Sequence, residues 1–289
     1  MLISHIQQTD VGQSIDLQGW IAQIRSSGKI AFILLRDGTG YLQCVIELSS
    51  VGDEVFNQLI SCGIESAVAL SGVVSLHPKS GAFELQVKNV EVISQAKDYP
   101  LGQKDDHGVE FLFDNRHLHL RAQSQWAILR IRDTLIHATY DWMRAHDFTK
   151  IDAPIFTPTC AEDSTELYEV THTNGEKMFL SQTGQMYIEA AIAAHRNVYD
   201  FGPVFRAEKS KTRRHLNELW MMDAEMAFCD FRGNMEIQEQ LIYYMIQQLL
   251  EKNKQELTML GRDVSKLENI TLPFPRMTHA EVVKKLQEL

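Results

Sequence analysis

Residues 205–228 read FRAEKSKTRRHLNELWMMDAEMAF, the densest mixture of charged and apolar side chains in the chain. Arg206, Lys209, Lys211, Arg213 and Arg214 stand beside Glu208 and Glu218, in a protein whose formal net charge is −10. On two antiparallel strands, a period of two puts Val204, Arg206 and Glu208 on one face and Phe201, Phe205 and Ala207 on the other. On the returning strand Leu219, Met221, Asp223 and Glu225 share a face, and Trp220, Met222, Met226 and Phe228 take the opposite one. Each strand then has an apolar face and a charged face, and a long basic loop, KSKTRRHLN, joins them. Two readings stay open. One is a solvated hairpin with surface ion pairs, which contribute little. The other is a nucleotide site, in which Arg206 forks onto a phosphate, Glu208 accepts from an exocyclic amine, and Arg214 and His215 approach terminal phosphates.

The rest of the chain bounds these possibilities. Its 289 residues favour two domains over one. A composition of 44% hydrophobic and 23% charged residues is that of an ordinary globular protein. No apolar run reaches the length of a membrane span, and the opening MLISHIQQTDVGQ has no basic segment followed by an apolar one. Cys44, Cys62, Cys160 and Cys229 are widely spaced, which argues against a disulfide framework or a zinc site and suits a reducing cytoplasm. The acidic balance disfavours bulk attraction to nucleic acid but leaves room for a local basic groove.

Residues 1–95 read as an all-β domain. SIDLQGWIAQI, IAFILLRDGTGYLQCVIEL, SAVALSGVVSL and AFELQVKNVEVI are strand-like, RDGTG (36–40) and HPKSG (77–81) are turn signals, and a helix fits at about 51–62. Five short strands and one helix suggest a small closed barrel of the OB type. Residues 96–115 form a polar linker. Residues 116–289 mix helices with hairpin-linked strands, an α+β pattern with an antiparallel sheet. A long helix begins near residue 122, with Trp126, Leu129, Asp133, Ile136 and Tyr140 on one stripe and Ile128, Ile131, Leu135 and Trp142 on the next. KIDAPIFTP (150–158) is a strand interrupted by Pro154 and Pro158; further helices are expected around 184–195 and 233–256.

The wording of residues 205–228 resembles motif 2 of the class II aminoacyl-tRNA synthetases, and most closely that of the asparaginyl-tRNA synthetases. The resemblance covers essentially the whole chain. RSSGKIAFILLRDGTGYLQ resembles the anticodon-binding OB fold, DNRHLHLR the junction to the catalytic domain, KIDAPIFTP motif 1, LSQTGQMYIEAA the amino-acid pocket, and LGRDVSKLENITLPFPRMTHAE the stretch after motif 2. It implies ATP-dependent activation of asparagine and transfer to tRNA(Asn), by a cytoplasmic homodimer joined through motif 1. Arg206 would contact the α-phosphate and substrate carboxylate as the catalytic residue, Glu208 the adenine amine, and Arg214 and His215 the γ-phosphate. Glu162 and Gln185 would face the substrate ammonium, and Glu225 would accept from the asparagine amide. In the barrel, Phe32 would stack on an anticodon base, with Arg25 and Gln43 in polar contact. Mg²⁺ would bridge the ATP phosphates, with no metal ligand identifiable in this chain.

Three departures, Leu219, Asp163 and the absence of a motif 3, qualify that picture. Leu219 stands where the family stacks a Phe on adenine, and Asp163 where it has a Gly. Ile188 occupies the place of the Lys that binds the substrate carboxylate in aspartyl-tRNA synthetases, which counts against an aspartyl enzyme. The last glycine is Gly261, so nothing beyond it fits the Gly-rich motif 3. The expectation is a catalytic domain incomplete at its C-terminus, weakly active or inactive alone. The alternatives are a degenerate paralogue that binds tRNA or a partner chain, and an aspartyl-tRNA synthetase.

Overall fold

The computed structural model describes residues 1–289 except 103–106, 160, 162–165, 210–211, 213 and 289. The chain forms two compact units, Met1–Arg116 and His117–Leu289. The first is built on β1 (Ser14–Ser27), β2 (Ile30–Arg36), β3 (Tyr41–Glu47), β4 (Ala67–Leu76) and β5 (Phe83–Ser94), closed into a barrel of order β1-β2-β3-β5-β4. Alternation along each strand sends Leu17, Ile21, Ile33, Leu35, Cys44, Ile46, Leu70 and Leu85 inward, and all are buried. The expected single helix at 51–62 is two shorter ones, α1 (Leu48–Val51) and α2 (Asp53–Ile60), because Gly52 at φ +83° breaks the run. Phe56 and Leu59 of α2 pack into the barrel core.

Local chemistry fixes the closure. At the tip between β2 and β3, Asp37 Oδ1 accepts from the backbone of Thr39 (2.8 Å) and Gly40 (3.1 Å), and its Oδ2 from the backbone of Ile3 (2.7 Å). The Asx-type turn thereby also ties down the N-terminal segment. Beside it, Arg36 forks onto Glu65 with bonds of 2.9 and 2.8 Å, the two side chains only 9% and 7% exposed.

α3 (Val109–Asp114) lies within residues 96–115, and the second unit begins within α4 (Arg116–His119). Its long helix α5 (Gln123–Ala145) buries Ala127, Ala138, Thr139, Trp142 and Met143. The stripes read from sequence are corrected here: Ile128 and Leu129 are 44% and 43% exposed. Apolar residues surround this helix, so period alone could not choose the buried side. KIDAPIFTP yields two strands, β6 (Thr149–Lys150) and β7 (Phe156–Thr157), which join different sheets. β8 (Glu169–Thr171) and β9 (Lys177–Leu180) complete the sheet β7-β9-β8.

α6 (Gln185–His195) precedes the hairpin of β10 (Asn197–Phe205) and β11 (Glu218–Met226), and β6 pairs in parallel with β10. α7 (Phe231–Lys252) is capped by Asp230, which accepts from the backbone of Arg232 and Gly233. The helix expected through 256 ends at Lys252 and resumes as α8 (Lys254–Met259), whose buried Glu256 takes a 2.7 Å bond from Arg130 of α5. The last pieces are α9 (Ser265–Glu268) and α10 (His279–Gln287). Before α10, Phe274 and Arg276 both donate to buried Glu239 of α7. Among the described residues no helix is long and apolar enough to cross a membrane.

The Arg36–Glu65 pair generates a test. Glu65→Ala leaves a guanidinium buried beside the barrel and is expected to cost about 3–5 kcal/mol, seen as an earlier urea transition of the barrel.

Candidate functional site

β10 and β11 pair over nine positions without a shift, from Asn197↔Met226 to Phe205↔Glu218. This register separates two faces. Tyr199, Met222, Ala224 and Met226 pack with Trp142 and Met143 of α5, Phe148 just after it and Leu241 of α7 in a hydrophobic cluster. The other face carries Val198, Asp200, Gly202 and Val204 opposite Glu225, Asp223, Met221 and Leu219. The start of α6 lies against this second face: Asp223 Oδ2 accepts from Thr183 Oγ1 at 2.7 Å and from the Gly184 backbone at 3.2 Å.

The charged end of the face lies beyond the strands. Arg206 follows β10, is in phase with Val204, and donates its backbone N–H to Asn217 at 2.9 Å, which extends the pairing. Arg206, Glu208 and Leu219 are half-buried. His215 Nε2 lies 3.9 Å from Glu208 Oε2, so the structure brings this pair together, and Thr212 Oγ1 contacts the other ring nitrogen. Arg214 is exposed, with its backbone bonded to Thr212 Oγ1. One assignment of the strand pattern fails: Phe228 lies beyond β11 at φ +59°, is 94% exposed, and belongs to no strand face. The left-handed residue there ends the alternation.

At the far end of the same face, Gln185 opens α6, with its backbone N–H on Thr183 Oγ1 (3.0 Å) and its Nε2 on Glu189 Oε1 (2.9 Å). Burial raises the Glu225 carboxyl above its ordinary range, helped by the charges of Glu189 and Asp223. Asp200 is raised likewise, first by burial; hydrogen bonds from the backbone of Phe201 and Ala153 and the charge of Lys150 oppose the shift. Ile188 is fully buried, so no cation stands at that position. Glu162 lies outside the described residues. A cleft of about 240 Å³ opens beside Ser181, Gln182, Thr183, Met186 and Tyr187. Sequence reasoning missed Asp200 and Glu189 as members of this site. The signal for Asp200 was available only after β10 and β11 were in register, which sets it opposite Asp223.

On the barrel, Phe32 of β2 is absent from the buried core and takes the Arg25 guanidinium over its ring at 5.0 Å. Gln43 of β3 sits opposite Leu34, two residues along from Phe32, and its Nε2 donates to Glu84 Oε1. Glu84, another residue not foreseen, is buried. An aromatic ring, an arginine and an amide–carboxylate pair thus occupy neighbouring positions on the outer face of β1, β2, β3 and β5.

Residues 108–289 match the family described as tRNA synthetases class II (D, K and N), and residues 15–93 match the OB-fold nucleic acid binding domain. The chain belongs to the class II tRNA synthetases of the D, K and N group. Two curated members are similar to it. The asparagine--tRNA ligase of Desulforamulus reducens is 47% identical over 99% of this chain, and that of Pelotomaculum thermopropionicum 46% identical over 98%. The chain spans 66% and 65% of their lengths. A solved class II synthetase, the asparaginyl-tRNA synthetase of Pyrococcus horikoshii complexed with asparaginyl-adenylate, superposes with a TM-score of 0.90 at 33% identity. That comparison covers all of this chain and 67% of the other.

The raised Asp200 carboxyl makes stability depend on pH. Its folded form holds a proton more tightly than the unfolded chain, whose ordinary value is 3.8. The stability this proton provides is full below that value and is lost as pH rises through the folded value. Asp200→Asn removes the dependence. Its stability relative to the parent is expected to rise from about pH 4 upward and then level off, as read by urea unfolding across pH.

Proposed function

We propose that the chain is the anticodon-reading and adenylate-forming part of an asparagine–tRNA ligase. The observation that carries this is the 47% identity, across 99% of the chain, to a protein named asparagine--tRNA ligase. The carboxylate-lined end of the β10–β11 face adds support. In the reaction, a carboxylate oxygen of asparagine attacks the α-phosphorus of ATP, the bond to the bridging oxygen breaks, and pyrophosphate leaves. A hydroxyl at the 3′ end of tRNA(Asn) then attacks the asparaginyl carbonyl carbon, the bond to the phosphate oxygen breaks, and AMP leaves. No protein nucleophile is required; catalysis is positioning plus stabilisation of charge.

We assign Arg206 to the α-phosphate and substrate carboxylate, Glu208 to the adenine amine, and Arg214 and His215 to the γ-phosphate. Leu219 covers one face of the adenine ring. Gln185 and Glu162 take the ammonium group. Glu225 accepts from the side-chain amide, and a carboxylate there repels aspartate. Among the described residues no group of three or more His, Cys, Asp or Glu side chains could hold a metal, and no step is assigned to Mg²⁺. Arg25, Phe32 and Gln43 form the anticodon surface, on a domain assigned to residues 1–95. Residues 96–115 connect it to the catalytic part, 116–289. The exposed Ile128 and Leu129 of α5 support self-association through this helix. We assign the chain to the cytoplasm.

Asparagine-dependent ATP–pyrophosphate exchange tests the assignment. Asparagine is expected to support weak exchange above an aspartate control, and Arg206→Ala to lower it by a factor of about 10²–10³. Exchange driven by aspartate, or by neither amino acid, would refute it. Phe32→Ala is expected to weaken tRNA(Asn) binding by about 1–3 kcal/mol in a filter-binding titration and to leave exchange unchanged.

A further inference from the structure

The turn at residues 183–184 launches α6 and decides where Gln185 stands. Asp223 holds it from one side through the two hydrogen bonds given above. On the other side lies Asp200, the cross-strand partner of Asp223. A methyl group placed on Gly184 would come 2.2 Å from Asp200 Oδ2 and 3.0 Å from the Ala153 side chain. Gly184 has φ −82°, so space rather than backbone conformation calls for a glycine here. The Asp200 side chain is therefore packed directly beneath the turn. Ala153, Gly184 and Asp200 line one cleft together, so β10, residues 152–154 and the entry to α6 meet around this carboxyl group.

We propose that Asp200 is a positioning residue of the amino-acid pocket: its carboxyl group, packed under Gly184 beside the Ala153 side chain, fixes the turn that aims Gln185. The consequence for substrate rests on the assignment of Gln185 to the ammonium group; the fixing of the turn rests on geometry alone. Truncating Asp200 removes the surface on which Gly184 rests and leaves a gap beneath the turn. Asparagine at this position has nearly the same volume and fills the same space beneath Gly184.

Backbone hydrogen exchange on the full chain without substrate tests the first part. In Asp200→Ala, amides of residues 184–188 are expected to exchange about tenfold faster, with α5 and α7 unchanged. Asp200→Asn is expected to stay within about twofold of the parent. Unchanged protection at 184–188 in the alanine variant overturns the proposal, because the turn then stands without Asp200. Loss spread evenly over α5 and α7 also overturns it, because Asp200 is then only a core residue. Calorimetry with a non-hydrolysable asparaginyl-adenylate analogue tests the consequence. Binding is expected to weaken about tenfold in Asp200→Ala and to recover in Asp200→Asn, with ATP affinity unaltered in both. Failure of the parent chain to bind the analogue would overturn the assigned function, while the hydrogen-exchange result would still decide whether Asp200 fixes the turn.

Discussion

Everything chemical in the second unit depends on the unbroken register between β10 and β11. Side chains alternate with a period of two, so a slip of one residue would turn Asp200, Asp223 and Glu225 into the cluster now held by Trp142, Met143 and Leu241. Burying three carboxyls against those side chains would cost far more than the hairpin could return. The apolar face therefore enforces the polar one. The charged loop beyond the strands needs no packing of its own, because the two strands already deliver Arg206 and Leu219 to adjoining positions on one side.

Charge is sorted along that face. Acids gather at the α6 end, where Asp200, Asp223, Glu225 and Glu189 lie near one another, and bases lie at the loop end with Arg206 and Arg214. The first arrangement suits an ammonium group and the second suits phosphates. Under the proposed function, a substrate with a cationic end and a polyanionic end would be oriented by sign before any hydrogen bond is made. The overall acidity of the chain, −10, says little about such a site, because the groups that matter are a few residues apart and partly shielded from solvent.

Much of this was legible in the sequence. The strand alternation of residues 204–225 put Arg206 in phase with Val204 and set Asp223 and Glu225 on one face, and the register agrees. The barrel was legible from turn chemistry, since RDGTG needs an Asp that accepts from the backbone and a Gly at positive φ, and Asp37 and Gly38 are these. Other features were not local enough to read. Asp200 is a lone acid among Val198, Tyr199 and Phe201, and its neighbours Gly184 and Ala153 are distant in sequence. Glu84 gains meaning only when β5 closes the barrel beside Gln43. The buried side of α5 was misread because a helix with apolar residues all round carries no phase, and Phe228 because a single left-handed residue cancels a two-residue period.

The contact beneath Gly184 has a consequence for how this sequence can change. A side chain at 184 has no room while a carboxyl group occupies 200 and a methyl group occupies 153. These three positions, from three separate segments, are therefore not independent letters. Enlarging one requires reducing another in the same step, so single substitutions that pass through a crowded or an empty intermediate are both penalised. Variation at the floor of the pocket is confined to concerted exchanges among residues 153, 184 and 200, however tolerant each would be if the other two were absent.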